Sequence, residues 1–343
     1  MQREIYFWQP IIPLNKNIKL IVNYFLGPAV FLLLSYAIYH QLEKQPNWQE
    51  SWTAVKRSLS GPEQWKVWLV FFLMFLNWGL EAGKWRLALR PLLPMGFPRA
   101  FRATLTGTTM ASFTPNRMGE YLGRILFVPE GQRLKAISLT LVCSMAQLLV
   151  TLIAGGLGIV YLQRHLPETI PPGQQVFHFW LNVLFFGVLL FFMALTVLYF
   201  RLNWLVRLLE RIPGKNRFLS TIKILEEFNA TILWRILFLS LVRYLVFVAQ
   251  YYLFFSVFGV SLSWLQTAGG MSVVFLVMAV IPTFTFLTEL GLRWEASIQI
   301  IELFSSNTVG IFAASFGIWL VNLIIPALIG SLFMLNIKLF KKG

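Results

Sequence analysis

The sequence contains no aspartate, a single cysteine and only three histidines. Cys143 alone cannot build a disulfide framework or a multi-cysteine metal site. His40, His165 and His178 are scattered and lack the spacing of metal ligands. A Walker A motif is also missing, which argues against an ATP-driven pump. We therefore expect neither a metal nor a cofactor.

Charge is scarce as well: 13% of the residues are charged and 57% are hydrophobic. Several apolar runs reach the roughly 20 residues that span a bilayer. The net charge is +15, but the basic residues lie between apolar segments and not in one compact patch. This distribution favours membrane lipids, with anionic phospholipid headgroups as partners, and no nucleic acid. The sequence predicts a single integral membrane domain over residues 1–343.

The apolar runs predict an all-α polytopic fold with six full spans and two shorter, re-entrant segments. The predicted spans are residues 20–39, 65–79, 137–161, 177–200, 236–258 and one span within 311–339. The two short segments are residues 101–115 and 264–282, one in each half of the chain. Such a pair is typical of transporters built from inverted repeats, here approximated by residues 1–163 and 176–343.

Each short segment ends in a proline break that is followed by Glu-x-x-x-Arg. The first reads Ser-Phe-Thr-Pro-Asn-Arg-Met-Gly-Glu-Tyr-Leu-Gly-Arg (112–124), and the second reads Ile-Pro-Thr-Phe-Thr-Phe-Leu-Thr-Glu-Leu-Gly-Leu-Arg (281–293). Proline frees backbone groups that lipid cannot satisfy, so a break survives only in a protein interior or beside a cavity. Residues four apart share one helix face. The two motifs therefore predict a charged site on a structural repeat.

Arginines are the main candidates for substrate binding, because a guanidinium matches phosphate oxygens in a bidentate fork. We expect Arg124 and Arg293, with Arg117, to bind a headgroup phosphate. Glu120 and Glu289 would hold these arginines before substrate arrives. The alternative for each Glu–Arg pair is an intrahelical salt bridge that only stabilises the re-entrant turn.

Arg243 is a further candidate, since a charge near the bilayer centre costs roughly 2.5–3.5 kcal/mol. Its alternatives are snorkelling to the cytoplasmic face or a structural pair with a glutamate. The polar and helix-breaking neighbours expected to support the site are Thr114, Pro115, Asn116, Gly119, Gln147, Pro282, Thr285, Thr288 and Glu295.

Lysine and arginine accumulate at residues 84–102 and 201–235 and at both termini. Because cytoplasmic loops carry this excess, both termini are predicted to be cytoplasmic. The loop at 41–64 also carries basic residues although it falls on the external side. With this orientation the first broken helix enters from inside and the second from outside.

The stretches 114–124 and 282–293 resemble the transmembrane region of the lysylphosphatidylglycerol synthase family, and the likeness extends over about residues 66–334. This resemblance implies a flippase-like domain of the bacterial cytoplasmic (inner) membrane that moves aminoacylated or other lipids between leaflets. The family occurs with a fused soluble synthase domain or alone. Here a stand-alone form is expected, so lipid aminoacylation is not implied.

The sequence departs from the family pattern at two places. Many members carry Gly-Gly-x-Gly-x-Arg-Glu in the second motif, where this chain has Leu-Thr-Glu-Leu-Gly-Leu-Arg-Trp-Glu (287–295). Glu295 is the candidate for the displaced carboxylate. After the first motif, Ser144 and Gln147 stand where members often have a Glu-Arg pair and an aspartate. We therefore expect a different substrate or ion preference.

The favoured function is transport of a phospholipid or lipid-linked amphiphile through a midplane cavity that both motifs line. One alternative is an accessory membrane subunit of a separate lipid-modifying synthase or transferase. Another is an intramembrane transferase in which Glu120 or Glu289 acts as general base. A homo-oligomer is compatible with each of these functions.

Overall fold

The computed structural model describes residues 36, 53, 61–165, 172–202, 204, 206–207, 222–283 and 286–334, with backbone alone for 172–181 and 286–287. Every regular element in these residues is helical. The α-helices are α1 (Gln64–Leu89), α2 (Phe97–Ala111), α3 (Gly119–Ile125), α4 (Arg133–His165), α5 (Pro172–Phe200), α6 (Ala230–Val257), α7 (Trp264–Val280), α8 (Phe286–Ile301), α9 (Thr308–Trp319) and α10 (Ile325–Met334). A π-helical turn, Leu320–Ile324, joins α9 to α10.

Five helical segments in the described part of the chain are long and apolar enough to cross a bilayer. They are Gln64–Leu89, Glu130–His165, Asn182–Phe200, Ala230–Val257 and Thr308–Met334. They correspond to five of the six predicted spans and confirm an all-helical membrane protein. The remaining predicted span, 20–39, lies outside the described residues except for Tyr36.

The predicted end of the second span, at Gly79, was wrong. Helix α1 continues to Leu89, and Lys84, which was expected at the start of a basic loop, is buried within it together with Glu81. The two side chains lie one turn apart, with 2.7 Å between Lys84 Nζ and Glu81 Oε2. Because each charge compensates the other, the helix does not need to end where its apolar run ends.

Both broken helices, α2 and α7, are too short to span the hydrocarbon core of a bilayer. Helix α2 has 15 residues and α7 has 17, which at about 1.5 Å per residue falls short of a hydrocarbon core of about 30 Å. Helix α2 ends shortly before Pro115, and α7 ends just before Pro282. Asn116 and Arg117 then adopt left-handed backbone conformations, with φ of 50° and 58°. This turn leads the chain into α3.

Helix α2 is rich in threonine, yet its buried hydroxyls have partners. Thr104 and Thr108 donate to the carbonyl four residues earlier. Thr109 also donates to the carbonyl of Ala327 on α10 at 2.6 Å. Gly330 lies so close to α2 that a Cβ atom there would stand 2.1 Å from the Leu105 carbonyl oxygen. Helix α10 therefore fixes the first broken helix in place.

The long helices hold the broken ones from several sides. Helix α7 packs mainly against α4, α6 packs against α1, and α2 lies between α1, α3 and α10. Helix α8, which carries the second motif, packs between α7 and α9. This arrangement brings both motifs to one interior region beside α1, α4 and α6.

Candidate functional site

A cavity of about 380 Å³ lies where the two motifs meet the long helices. Its volume falls within the range of roughly 300–1,000 Å³ found for small-molecule sites. The charged and polar residues that line it are Glu81, Lys84, Arg117, Glu120, Cys143, Ser144, Gln147, Thr151, Arg243, Glu289, Arg293 and Asn322. The apolar and aromatic residues that line it are Trp78, Leu148, Phe247, Ala279, Ile318, Trp319 and Leu323.

Glu81 of α1 is the centre of the ion-pair network on one side of the cavity. Its Oε1 accepts a hydrogen bond from Arg124 Nη2 at 2.8 Å. Its Oε2 lies 2.7 Å from Lys84 Nζ and 3.2 Å from Arg243 Nη1. Arg124 is also paired with Glu120 of its own helix. One buried carboxylate thus joins the first motif to α1 and α6.

Arg243 reaches the cavity from α6 and is held in one orientation. Its Nε donates to Asn77 Oδ1 at 2.7 Å and its Nη1 to Gln147 Oε1 at 3.3 Å. Its guanidinium carbon stands 5.5 Å from the ring centres of both Trp78 and Phe247. Cation–π contacts of this kind add to the ion pair with the glutamate on α1. Arg243 therefore does not snorkel: it pairs with Glu81 and also lines the cavity, where a ligand can reach it.

The second motif forms a network on the other side. Glu289 Oε1 accepts a hydrogen bond from Arg293 Nη2 at 2.8 Å, and Arg293 Nη1 donates to the Tyr251 hydroxyl at 3.1 Å. Glu289 Oε2 lies 3.4 Å from Nη1 of Arg117, a residue of the first motif. Both Glu-x-x-x-Arg pairs therefore form the intrahelical ion pairs that their spacing predicts, and one of them also contacts the other motif.

The two helix breaks touch each other directly. The backbone N–H of Asn116 donates to the Thr283 carbonyl at 2.7 Å. The N–H of Thr283 donates back to Asn116 Oδ1 at 3.3 Å. Within the first break, the Thr114 hydroxyl accepts from the N–H of Gly119 at 2.6 Å. Backbone groups freed by the breaks are satisfied by these contacts, as groups inside a membrane must be.

The cavity carries an excess of positive charge. Lys84, Arg117, Arg243 and Arg293 line it, against the carboxylates of Glu81, Glu120 and Glu289. Arg124, which lies behind the wall and pairs with two of these carboxylates, brings the described cations to five. Five cations and three carboxylates leave an excess of two positive charges, so the cavity is suited to an anion.

The cations differ in how far a ligand can reach them. The Arg117 side chain is 35% exposed and that of Arg243 is 15% exposed. The Arg124 side chain is 1% exposed. The Arg293 side chain, which also lines the cavity, is 11% exposed. Arg117 and Arg243 are therefore the most exposed of these arginines, whereas Arg124 is enclosed by its partners.

The structure brings six of the predicted site residues to the cavity wall, namely Arg117, Glu120, Gln147, Arg243, Glu289 and Arg293. Other predicted residues lie in or beside the breaks without lining the cavity: Thr114, Pro115, Asn116, Gly119, Arg124, Pro282 and Thr288. Glu295 is exposed and accepts a hydrogen bond from Gln299 Nε2 at 3.0 Å, away from the cavity. Thr285 lies outside the described residues.

Sequence reasoning missed several residues of the cavity. Glu81 and Lys84 were taken as the charged end of a span, and Asn77, Trp78 and Asn322 were not singled out. One signal in the sequence could have found two of them. Asn77 and Asn322 are amides within otherwise apolar runs, where a polar side chain is energetically costly. Polar residues inside a membrane segment usually face the protein interior or mark a functional site.

A sequence model of the lysylphosphatidylglycerol synthase TM region matches residues 24–330. The chain belongs to this family. The match covers most of the chain and includes both motifs and the residues around the cavity. This membership makes the chain a membrane protein of a family associated with lipid modification or transport. No match was found among curated proteins.

Proposed function

We propose that this protein moves a phospholipid between the two leaflets, with the headgroup passing through the central cavity. The observation that carries the proposal is the pair of accessible arginines, Arg117 and Arg243, in a cavity with an excess of positive charge. Membership of a lipid-associated membrane family supports a lipid as the substrate.

The two accessible guanidinium groups suit a phosphate ester. Arg117 comes from the first motif and Arg243 from α6, so a phosphate between them would contact two separate elements. Guanidinium donors bind phosphate oxygens strongly because the hydrogen bonds are charge-assisted. Arg124 and Arg293 instead fix Glu81, Glu120 and Glu289, which keeps the cavity wall in place.

The composition of the cavity wall favours a lipid substrate over a wholly soluble ion. Ser144 on α4 and Ala279 on α7 line the cavity and are also exposed, so the cavity opens at this point. Leu148 and Phe247 give the same wall an apolar character. A lipid could therefore place its headgroup inside while its acyl chains remain in the bilayer.

Movement of the headgroup requires the cavity to open to each leaflet in turn. We propose that the two halves form an inverted repeat whose broken helices enter the membrane from opposite sides. Both termini would lie on the cytoplasmic side of a bacterial inner membrane. Two contacts would then close the access from one leaflet to the cavity: that between Asn116 and Thr283 and that between Arg117 and Glu289. Rocking of the repeats would break these contacts and open it.

Leaflet exchange in liposomes tests this function. The purified chain is reconstituted with fluorescent phospholipids of different headgroups, and exchange is read by chemical quenching of the outer leaflet. We expect exchange by the wild type and a loss of at least about tenfold in Arg243→Gln and in Arg117→Gln, because each change removes a charge-assisted hydrogen bond.

Arg235→Gln is the matched control, since Arg235 lies on the same helix as Arg243 and is exposed outside the cavity. Its exchange should equal that of the wild type. Absence of exchange of every lipid by folded wild-type protein would reject translocation by the chain alone. It would favour an accessory subunit that works with a separate synthase.

A further inference from the structure

In the described part of the chain, three residues that line the cavity carry a buried hydrogen-bond donor without an acceptor. They are Trp78 with Nε1, Asn322 with Nδ2 and Arg293 with Nε. Trp78 and Asn322, which are 2% and 6% exposed, lie together beside Arg243. Buried donors without a partner are rare in native proteins and call for an explanation such as a ligand. Their position in the cavity wall makes a bound group the explanation to consider.

The donor group of Asn322 is fixed by its neighbours. Asn322 Oδ1 accepts from Asn77 Nδ2 at 3.1 Å, and Asn77 Oδ1 accepts from Arg243 Nε. With its oxygen engaged, Asn322 has only the N–H groups left for a ligand. Asn322 also lies in the π-helical turn Leu320–Ile324, and such turns are frequent at functional sites.

Trp78, Arg243 and Asn322 form what we call the donor cluster. The Arg243 guanidinium stands against the Trp78 ring, and Asn77 links Arg243 to Asn322. All three members line the same cavity and come from α1, α6 and the π-helical turn. Three elements thus present N–H groups, which is a chemistry that an anion with several oxygens can satisfy.

The carboxylates of the cavity are already engaged. Glu81, Glu120 and Glu289 are each ion-paired with at least one arginine. An ammonium group entering the cavity would meet the excess of two positive charges and would have to displace an arginine from its carboxylate. Repulsion of this kind is how a site rejects a wrong ligand.

We propose that the donor cluster is the phosphate subsite of the cavity and that it selects headgroups with net negative charge over headgroups that carry an ammonium group. The chemistry recognised is a phosphate ester without a compensating cation. The assignment of this phosphate ester to a lipid rests on the proposed translocation function.

Equilibrium binding to the full chain in detergent tests the subsite without requiring transport. The probes are dioctanoyl phosphatidylglycerol, dioctanoyl phosphatidylethanolamine, dioctanoyl lysylphosphatidylglycerol, glycerol 3-phosphate and inorganic phosphate, with binding read by native mass spectrometry. We expect phosphatidylglycerol to bind at least about tenfold more tightly than either ammonium-bearing lipid. Weaker binding of the two soluble phosphates would identify the lipid as the source.

Two variants test the cluster itself. Trp78→Phe removes the N–H and keeps a ring beneath Arg243, so phosphatidylglycerol should bind about tenfold more weakly. Asn322→Asp replaces a donor by a carboxylate of the same shape and should abolish this binding. Trp68→Phe, which changes an exposed ring on the same helix, should bind as the wild type does.

Several results would overturn the proposal. Unchanged binding by folded Trp78→Phe and Asn322→Asp would remove the donor cluster from ligand recognition. Equal or tighter binding of lysylphosphatidylglycerol would contradict the charge selection, and equally tight binding of inorganic phosphate would contradict a lipid source. Selective binding without leaflet exchange would leave the subsite in place and reject translocation alone.

Discussion

Asn116 and Thr283, which belong to different halves of the chain, exchange hydrogen bonds across the two helix breaks. One bond joins their backbones at 2.7 Å, and the other runs from the Thr283 N–H to Asn116 Oδ1 at 3.3 Å. Beside them Arg117 pairs with Glu289 at 3.4 Å. The two motifs therefore contact each other as well as the shared cavity, and relative movement of the halves must break these contacts.

A cross-link between the breaks should arrest transport. The Asn116 N–H and the Thr283 carbonyl oxygen are 2.7 Å apart, so the two backbones approach closely at this point, as a disulfide requires. We expect Asn116→Cys/Thr283→Cys, made with Cys143→Ser, to form a disulfide under oxidising conditions and to lose leaflet exchange. Reduction should restore exchange.

The two single-cysteine variants are the controls for this experiment, and the exchange rate of each should be the same under oxidising and reducing conditions. Full exchange by the cross-linked protein would show that the breaks stay together during transport. The contacts between the motifs would then be structural.

Replacement of Glu81 should destabilise the fold. Glu81→Gln removes a negative charge that Lys84, Arg124 and Arg243 share in the protein interior. Loss of one partner from a buried ion pair costs about 3–5 kcal/mol because the remaining charges are uncompensated. We therefore expect a clear fall in the melting temperature of the detergent-solubilised protein.

Glu63→Gln provides the comparison for Glu81→Gln. Glu63 pairs with Lys66 at the start of the same helix, and its side chain is 44% exposed, against 6% for Glu81. Because exposed pairs contribute only about 0–1 kcal/mol, its melting temperature should stay near that of the wild type. Equal effects of the two substitutions would contradict the central role of Glu81.

The sequence could predict those contacts of the site that depend on the spacing of residues within one helix. The pairs Glu120–Arg124 and Glu289–Arg293 follow from residues four apart on a helix, and both form in the structure. Proline likewise indicated where each broken helix ends. These features depend on neighbours in the chain, so a single sequence contains them.

Long-range pairing could not be predicted in this way. Glu81 and Lys84 follow an apolar run, and the same composition fits a cytoplasmic loop equally well. Their burial depends on Arg124 and Arg243, which tertiary packing brings to α1. Asn322 faces the cavity within a π-helical turn, and no spacing rule predicts that turn. Inverted symmetry of the halves stays a prediction.

Close packing of α10 on α2 gives a further prediction. A Cβ atom at Gly330 would lie 2.1 Å from the Leu105 carbonyl oxygen and 2.5 Å from Thr109 Oγ1. Gly330→Ala must push the two helices apart, and overpacking of this kind typically costs about 1–3 kcal/mol. We expect a lower melting temperature and weaker leaflet exchange, because α2 carries the first break.

Gly156→Ala is the control for Gly330→Ala. Gly156 is also inside a helix, but a Cβ atom there meets no atom within 4 Å. Alanine favours helix over glycine by up to about 1 kcal/mol, so this variant should be as stable as the wild type or more stable. A destabilised Gly156→Ala together with a neutral Gly330→Ala would contradict the packing of α10 on α2.

The last prediction separates Arg124, which was expected to bind the headgroup phosphate, from Arg243, which was a further candidate. Arg124 is enclosed between Glu81 and Glu120 and its guanidinium stands 5.8 Å from the Trp85 ring centre, whereas Arg243 lines the cavity. Arg124→Gln removes one of the cations around the buried Glu81 and leaves Glu120, whose side chain is 24% exposed, without its partner. We therefore expect its main effect to be a fall in melting temperature, by the mechanism that applies to a broken buried pair.

Arg243→Gln should instead have its main effect on transport. The exchange rate per folded molecule should fall strongly, while the melting temperature should change little. Glu81 keeps Lys84 and Arg124 as partners in that variant, so the carboxylate is still compensated. Measuring the melting temperature and the exchange rate on the same preparations of both variants distinguishes the two roles. If Arg124→Gln kept its melting temperature and lost exchange, Arg124 would contact the headgroup directly, and the cavity would have to open further during transport to expose it.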